Sequence, residues 1–177
     1  MTFKKQTGSF TLLSLALAMS FNATAGQYAA VDKNSCGQLK NTKHPFILVL
    51  SKGDNLSQSI NQCAADAELL AASVSGLGQV HNPTLAYFTS NPSDKPTLTT
   101  FDGYYELASL NGNITNNANQ YYTHLHAALA DKSFKGITGH IDSAEVGLTV
   151  EVTIVPFAGS VERAVDSETG FGPIVTK

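Results

Sequence analysis

Ten residues near the C-terminal end constrain the fold more than any others. Residues 146–155 read V-G-L-T-V-E-V-T-I-V, so Val146, Leu148, Val150, Val152 and Ile154 alternate with Gly147, Thr149, Glu151, Thr153 and Val155. Successive side chains of a strand point to opposite faces, and this run therefore buries one face and leaves the other open. Pro156, which has no amide hydrogen to give a ladder, ends it. A strand of this kind needs a sheet around it and a layer packed on its apolar face.

The rest of the chain supplies both. Residues 46–50 (F-I-L-V-L) are a short apolar run that reads as a buried strand. A turn over 51–54 (S-K-G-D) follows, and Asp54 or Asn55 can cap the next helix. Leu56, Ile60, Cys63, Ala64 and Ala67 recur at helical spacing and predict an amphipathic helix over 56–67, laid on the sheet. Residues 69–74 are apolar and end at Gly76 and Gly78, a tight turn or bulge between strands. No phosphate-loop pattern follows those glycines. Residues 85–89 read as a strand, and 91–96 (N-P-S-D-K-P) as a loop. Strands over 97–101 and 104–110 flank Asp102-Gly103, a hairpin signal. The asparagine-rich stretch 111–120 reads as a loop.

Residues 26–45 have no clear periodicity, and 158–177 read as a tail wrapping the body, which leaves one domain over 46–157. The expectation is an α+β fold: seven or eight mostly antiparallel strands with one main helix, no internal repeat and no second domain.

The first 25 residues differ from the rest. Lys4 and Lys5 precede an apolar run over 10–18, and Ala23-Thr24-Ala25 gives a small-x-small cleavage pattern before Gly26. This is the pattern of a secretory signal peptide, and the run is too short to span a membrane. The expected location is therefore periplasmic or secreted, with no membrane span after the leader is removed. The leader holds two lysines and no acid, so the mature chain carries nine cations against fourteen acids, a net charge of −5. Its one arginine is Arg163. A mildly acidic, arginine-poor chain lacks the clustered cations that neutralise phosphates, so no nucleic-acid partner is expected. Cys36 and Cys63 are the two cysteines, and an oxidising compartment makes them a candidate disulfide worth about 2–4 kcal/mol. The alternative is a buried Cys63 and a free Cys36 thiol.

Three of the five histidines fall between residues 122 and 141. His124 and His126 are two apart, so a strand projects both imidazoles from one face, with Leu125 and Ala127 on the other. Residues 131–136 (D-K-S-F-K-G) read as a turn and 137–141 as a return strand bearing His140. Register decides whether His140 lands on the same face, and a single bulge reverses it. Three converging neutral imidazoles can hold Zn²⁺ or a similar divalent cation and leave one position open. The bland alternative is two half-exposed strand histidines and an unrelated third.

The order of motifs completes a pattern: a helix after a K-G-D turn, G-L-G at 76–78, G-Y-Y-E-L-A-S-L-N-G over 103–112, H-L-H-A-A-L-A-D over 124–131, and Gly139-His140. Together these resemble the PPC (plant and prokaryote conserved) domain, over residues 46–157. The resemblance implies a compact α+β domain that forms a homotrimer, and a metal site whose ligands here are His124, His126 and His140. It also implies a likeness of fold to acetolactate decarboxylase, an enzyme with a three-histidine metal site. Two features depart from the family pattern. Thr138 stands where the first of two glycines usually precedes the third histidine, and no R-G-R-P core of an AT-hook occurs.

The match of Glu106, in G-Y-Y-E-L, to the family motif implies that it is the candidate catalytic carboxylate, as a base for metal-bound water or a partner of a histidine. An exposed or interface glutamate is the competing reading. Glu151 reads as a solvated or interface charge, Asp131 as a turn residue, and His44 and His81 as surface groups. Tyr104, Tyr105, Tyr121 and Tyr122 flank the site and can line a pocket or a subunit contact. No nucleophile motif such as G-x-S-x-G is present. Three functions follow as expectations: an exported, trimeric metal- or small-ligand-binding protein; a metal-dependent lyase or hydrolase; and, disfavoured by charge and leader, a DNA-binding protein.

Overall fold

A computed structural model describes residues 29–91, 93–117 and 120–176. The leader and its cleavage pattern lie outside these residues. The chain runs through β1 (Ala30–Asp32), a 3-10 turn (Cys36–Leu39), β2 (Phe46–Ser51), α1 (Leu56–Asp66), β3 (Ala71–Tyr87), β4 (Thr97–Thr100), β5 (Tyr104–Asn117), β6 (Gln120–Ala130) and β7 (Gly136–Pro156). All seven strands form one sheet, in which only the β1–β2 pair is parallel. The fold is α+β, as expected.

β7 organises the sheet. Its C-terminal half pairs with β2 on one side and β3 on the other, and its N-terminal half pairs with β6. Since β3 also pairs with β5, and β5 with β6, the ladders β3–β5–β6–β7–β3 close into a ring. Closure removes edges that would otherwise invite pairing with other chains. Val146, Val150, Val152 and Ile154 of the alternating run are fully buried with Leu48, Leu50, Leu110, Ile114 and Val80 in the core, whereas Leu148, expected on the same face, is exposed where the β3–β7 register shifts between Gly78 and Val80. α1 buries Leu56, Ile60, Cys63 and Ala64, and the Asn55 side chain caps it by accepting from the Gln58 amide at 3.0 Å. Asp54 instead accepts from the Ser51 amide, in the turn before the helix. Cys36 and Cys63 are bridged, with a Cα–Cα distance of 5.1 Å, which ties the 3-10 turn to α1. Among the described residues no helix is long and apolar enough to cross a membrane.

Four expectations need correction. The segments 69–74 and 85–89 belong to one strand, β3, because register shifts at Gly76–Gly78 and around Thr84 absorb the irregularity without breaking the ladder. At Gly78, φ is +145° and an added Cβ would lie 2.2 Å from the Thr149 carbonyl oxygen, so only glycine lets β3 pass β7 there. Asp102-Gly103 is not a hairpin. β4 and β5 both run antiparallel to β3, with Thr100 opposite Thr84 and Tyr104 opposite His81, so they follow one another along the same strand.

The asparagine-rich stretch is not a loop either: β5 continues to Asn117 and β6 starts at Gln120. Its polar residues alternate with Gly112 and the buried Ile114, and composition hid that alternation. Finally, 26–45 is less irregular than expected, since Ala30–Asp32 adds a parallel strand to β2.

Candidate metal centre

The register that the sequence left open places His126 directly opposite His140, in the antiparallel β6–β7 pair. Directly opposed residues of such a pair project to the same side. His124, two residues earlier on β6, joins them, while Leu125, Ala127 and Leu129 are buried on the other face. The three ring centroids are 5.1–5.3 Å apart. One nitrogen of each ring can be chosen so that all three lie within 4.8 Å of one another. A tetrahedral Zn²⁺ with Zn–N bonds of about 2.0–2.1 Å needs nitrogens somewhat closer than this, so the imidazoles have only to turn inward.

The electrostatics suit a cation held by neutral rings. Burial pushes the His124 imidazole below its ordinary value of 6.5, and the charges of His140, Arg163 and His126 push it the same way. Burial also lowers His140, with His126 adding and Asp142 opposing. His140 Nδ1 is buried without a hydrogen-bond partner, a cost that a bound cation would relieve. On these observations the residues fit a divalent metal.

The supports are local. Gly112 lies opposite Leu125, and an added Cβ would fall 2.0 Å from the His124 carbonyl oxygen, so β5 approaches β6 there as only glycine allows. The turn after β6 is held by Asp131, whose carboxylate accepts from the amides of Ser133 (2.7 Å) and Lys135 (3.0 Å). Asp131 is thus a turn residue. Thr138 sits opposite Ala128 within the ladder, where a β-branched side chain suits an extended backbone.

Beside the histidines opens a cleft of about 540 Å³. Ala86, Phe88, Tyr122 and the three histidines line it, with Arg163, Phe171 and Pro173 of the tail. The sequence reading missed Arg163, Phe171 and Phe88. The available signal was that Arg163 is the chain's one arginine and lies in a tail otherwise without pattern.

The structure does not bring Glu106 to this cleft. It lies opposite Ala130, four residues along β6 from His126, or about 13 Å. It is exposed and accepts from Gln79 Nε2 at 2.9 Å. His81 stacks on Tyr104 at 4.4 Å, away from the cleft, and His44 is exposed. Tyr122 lines the cleft, whereas Tyr105 and Tyr121 pack against the core. Glu151 stands exposed between Val49 and Leu77 on neighbouring strands.

Comparison with known proteins places this fold. A metal-containing protein from Archaeoglobus fulgidus is 27% identical, with a TM-score of 0.68 over 75% of this chain and 93% of that one. A candidate DNA-binding protein from Ralstonia eutropha JMP134 is 25% identical, with a TM-score of 0.70 over 78% and 94%. A plant- and prokaryote-conserved protein from Pyrococcus horikoshii is 21% identical, with a TM-score of 0.69 over 76% and 92%. No curated protein matches the chain. Residues 37–158 match the Plants and Prokaryotes Conserved (PCC) domain, and the chain belongs to that family.

Proposed function

We propose that the protein binds one divalent transition metal, zinc being the best fit, through His124, His126 and His140. The carrying observation is the register that sets His126 opposite His140, with His124 one strand repeat away. The likeness to a metal-containing archaeal protein supports the same reading. Three imidazoles leave a fourth position open, and it faces a cleft of small-molecule size. The test is elemental analysis of tag-free protein beside the His124→Ala, His126→Ala double variant. About one metal per chain, lost in the variant, is expected; no metal in either after zinc loading would refute the site.

A metal-dependent lyase or hydrolase is the second reading, and the cleft beside the open position favours it. In that reading the metal polarises a carbonyl or activates water, and turnover of a small substrate, abolished by chelation, decides it. DNA binding, the description of the Ralstonia relative, fits poorly with one arginine and a net charge of −3. An empty gel shift at low salt is expected.

We propose further that the chain is exported after cleavage before Gly26 and assembles as a homotrimer. Ile47, Val49, Leu77 and Val155 lie exposed on the outer faces of β2, β3 and β7 around Glu151, and apolar side chains grouped in this way are of the kind a subunit contact covers. N-terminal sequencing of the exported protein and light scattering test these two points. A retained leader, or a monomer, would refute them.

A further inference from the structure

Residues 159–176 lie beyond the segment that matches the family, yet they complete the cleft. They fold back as a hairpin. The Asp166 amide donates to the Phe171 carbonyl at 2.7 Å and the Val175 amide to Glu162 at 3.1 Å, while Arg163 bridges to Ile174. Arg163 pins this hairpin to the sheet. Its Nη1 donates to the Gly172 carbonyl at 2.8 Å, Nη2 to Asn113 Oδ1 at 2.7 Å, and Nε to Thr115 Oγ1 at 3.2 Å. The guanidinium also lies 5.2 Å from the Tyr122 ring centroid. On the far side, Phe171 meets Phe88 edge-on at 5.4 Å, and Phe88 meets His140 edge-on at 5.2 Å.

The cleft therefore has two unlike walls. One carries three imidazoles and a guanidinium; the other is Ala86, Phe88, Phe171 and Pro173. Among the described residues, none lining it is acidic. A divalent ion on three neutral imidazoles keeps its full charge, and Arg163 adds one more. An oxygen anion is the ligand that completes the coordination sphere of such a cation. The apolar wall, with two aromatic rings, favours a flat hydrocarbon body attached to that anion.

We propose that this cleft is a binding site for a small organic monocarboxylate with a flat apolar body. The carboxylate takes the open metal position in the field of Arg163, and the body packs against Phe88 and Phe171. The hairpin 162–175 gives the site its selectivity. This rests on the metal reading above.

The test uses tag-free full-length protein loaded with Co²⁺, whose visible absorption reports its coordination. Cobalt content is measured first, then the spectrum is titrated with benzoate, acetate and the neutral benzyl alcohol. Benzoate is expected to change the spectrum saturably, acetate more weakly, and benzyl alcohol not at all. Arg163→Gln should weaken both carboxylates about tenfold, the size of one lost charged interaction. Phe171→Ala leaves the hydrogen bonds of Arg163 in place and should weaken benzoate while sparing acetate, so it tests the site even if Arg163→Gln disturbs the hairpin. Full cobalt content without a benzoate response, or an unchanged benzoate affinity in Phe171→Ala, overturns the carboxylate site and leaves the metal reading standing. Absence of cobalt from the wild type overturns the metal reading and this proposal with it.

Discussion

On the face of β5, β6 and β7 turned away from Leu125 and Leu129, Asn111, His126 and His140 stand in one row across the three strands, with Asn113 and His124 beside them. Four residues further along β6, the row is Glu106, Ala130 and Gly136. Both ends carry side chains that a motif reading selects. At the first end three ligands converge, because two come from one strand at a spacing of two and the third sits opposite in register. At the second end a single carboxylate stands between Gln79 of β3 and Ala130 of β6, and it accepts from Gln79 in solvent. Convergence from adjacent strands, more than residue type, separates a candidate site from an exposed charge. Burial differs as well: the first end lies under the tail hairpin and lowers two imidazole pKa values, while the carboxylate of the second is exposed.

The largest effect should come from removing the residue shared by both ladders. His126→Ala leaves His124 and His140 without the ligand between them. Metal affinity should fall by more than the roughly 10–100-fold typical of losing a supporting partner. Competition titration with a chromophoric chelator measures it, and an unchanged affinity would put the metal elsewhere.

Glycine replacements test the backbone at the two ends. In Gly112→Ala the new Cβ falls 2.0 Å from the His124 carbonyl oxygen, which belongs to a paired strand and cannot move aside. Overpacking of this kind costs about 1–3 kcal/mol, which lowers Tm by several degrees in a chain of this size. Metal content should fall with it. Near Glu106, Gly147→Ala meets Tyr104 Cδ1 at 2.9 Å and Gln79 Oε1 at 3.2 Å, with Val80 carbonyl carbon at 3.2 Å. Two of these contacts are side chains able to swing, so the Tm shift should be the smaller of the two and metal content should stay. Equal shifts would mean that the close approach at Gly112 is not what holds the histidine end.

Acid should act on the histidine end through its buried imidazoles. Burial holds His124 and His140 below 6.5, so the folded state keeps both neutral at pH values where the unfolded chain is already taking up protons. Their contribution to stability is full above the unfolded value and is lost as pH falls through the lowered folded values. Because ligation needs neutral imidazoles, metal retention should persist below pH 6.5 and then fail. Metal content after dialysis across a pH series checks this; release centred above 6.5 would contradict the lowered values.

What was legible follows the same division between local and non-local information. The strands at 46–50 and 146–155, the helix cap at Asn55 and the shared face of His124 and His126 each depend on a few neighbouring residues, and periodicity exposed them. The opposition of His126 and His140 depends on the register of two strands across a turn, which periodicity does not encode. The second half of β5, over 111–117, was hidden because its asparagines and glycine give it the composition of a loop. Arg163 and Phe171 were hidden for a stronger reason: they reach the site from more than twenty residues beyond His140, through a hairpin without an apolar repeat.

The smallest effect should be that of Glu106→Gln. The substitution keeps size and hydrogen-bonding reach and removes only the charge. The carboxylate is exposed, and the charge lies about 13 Å from His126, beyond a Debye length of about 8–10 Å at ordinary salt. Its field at the metal is therefore screened, and metal affinity should change by less than about twofold. Tm should hold too, since an amide can still bond to Gln79. If Glu106 supports the metal across a contact of the homotrimer proposed above, the variant lowers affinity in that oligomer and leaves it unchanged in the monomer. Measuring both species would then reunite the two ends through a subunit contact, and an unchanged affinity in both keeps them apart.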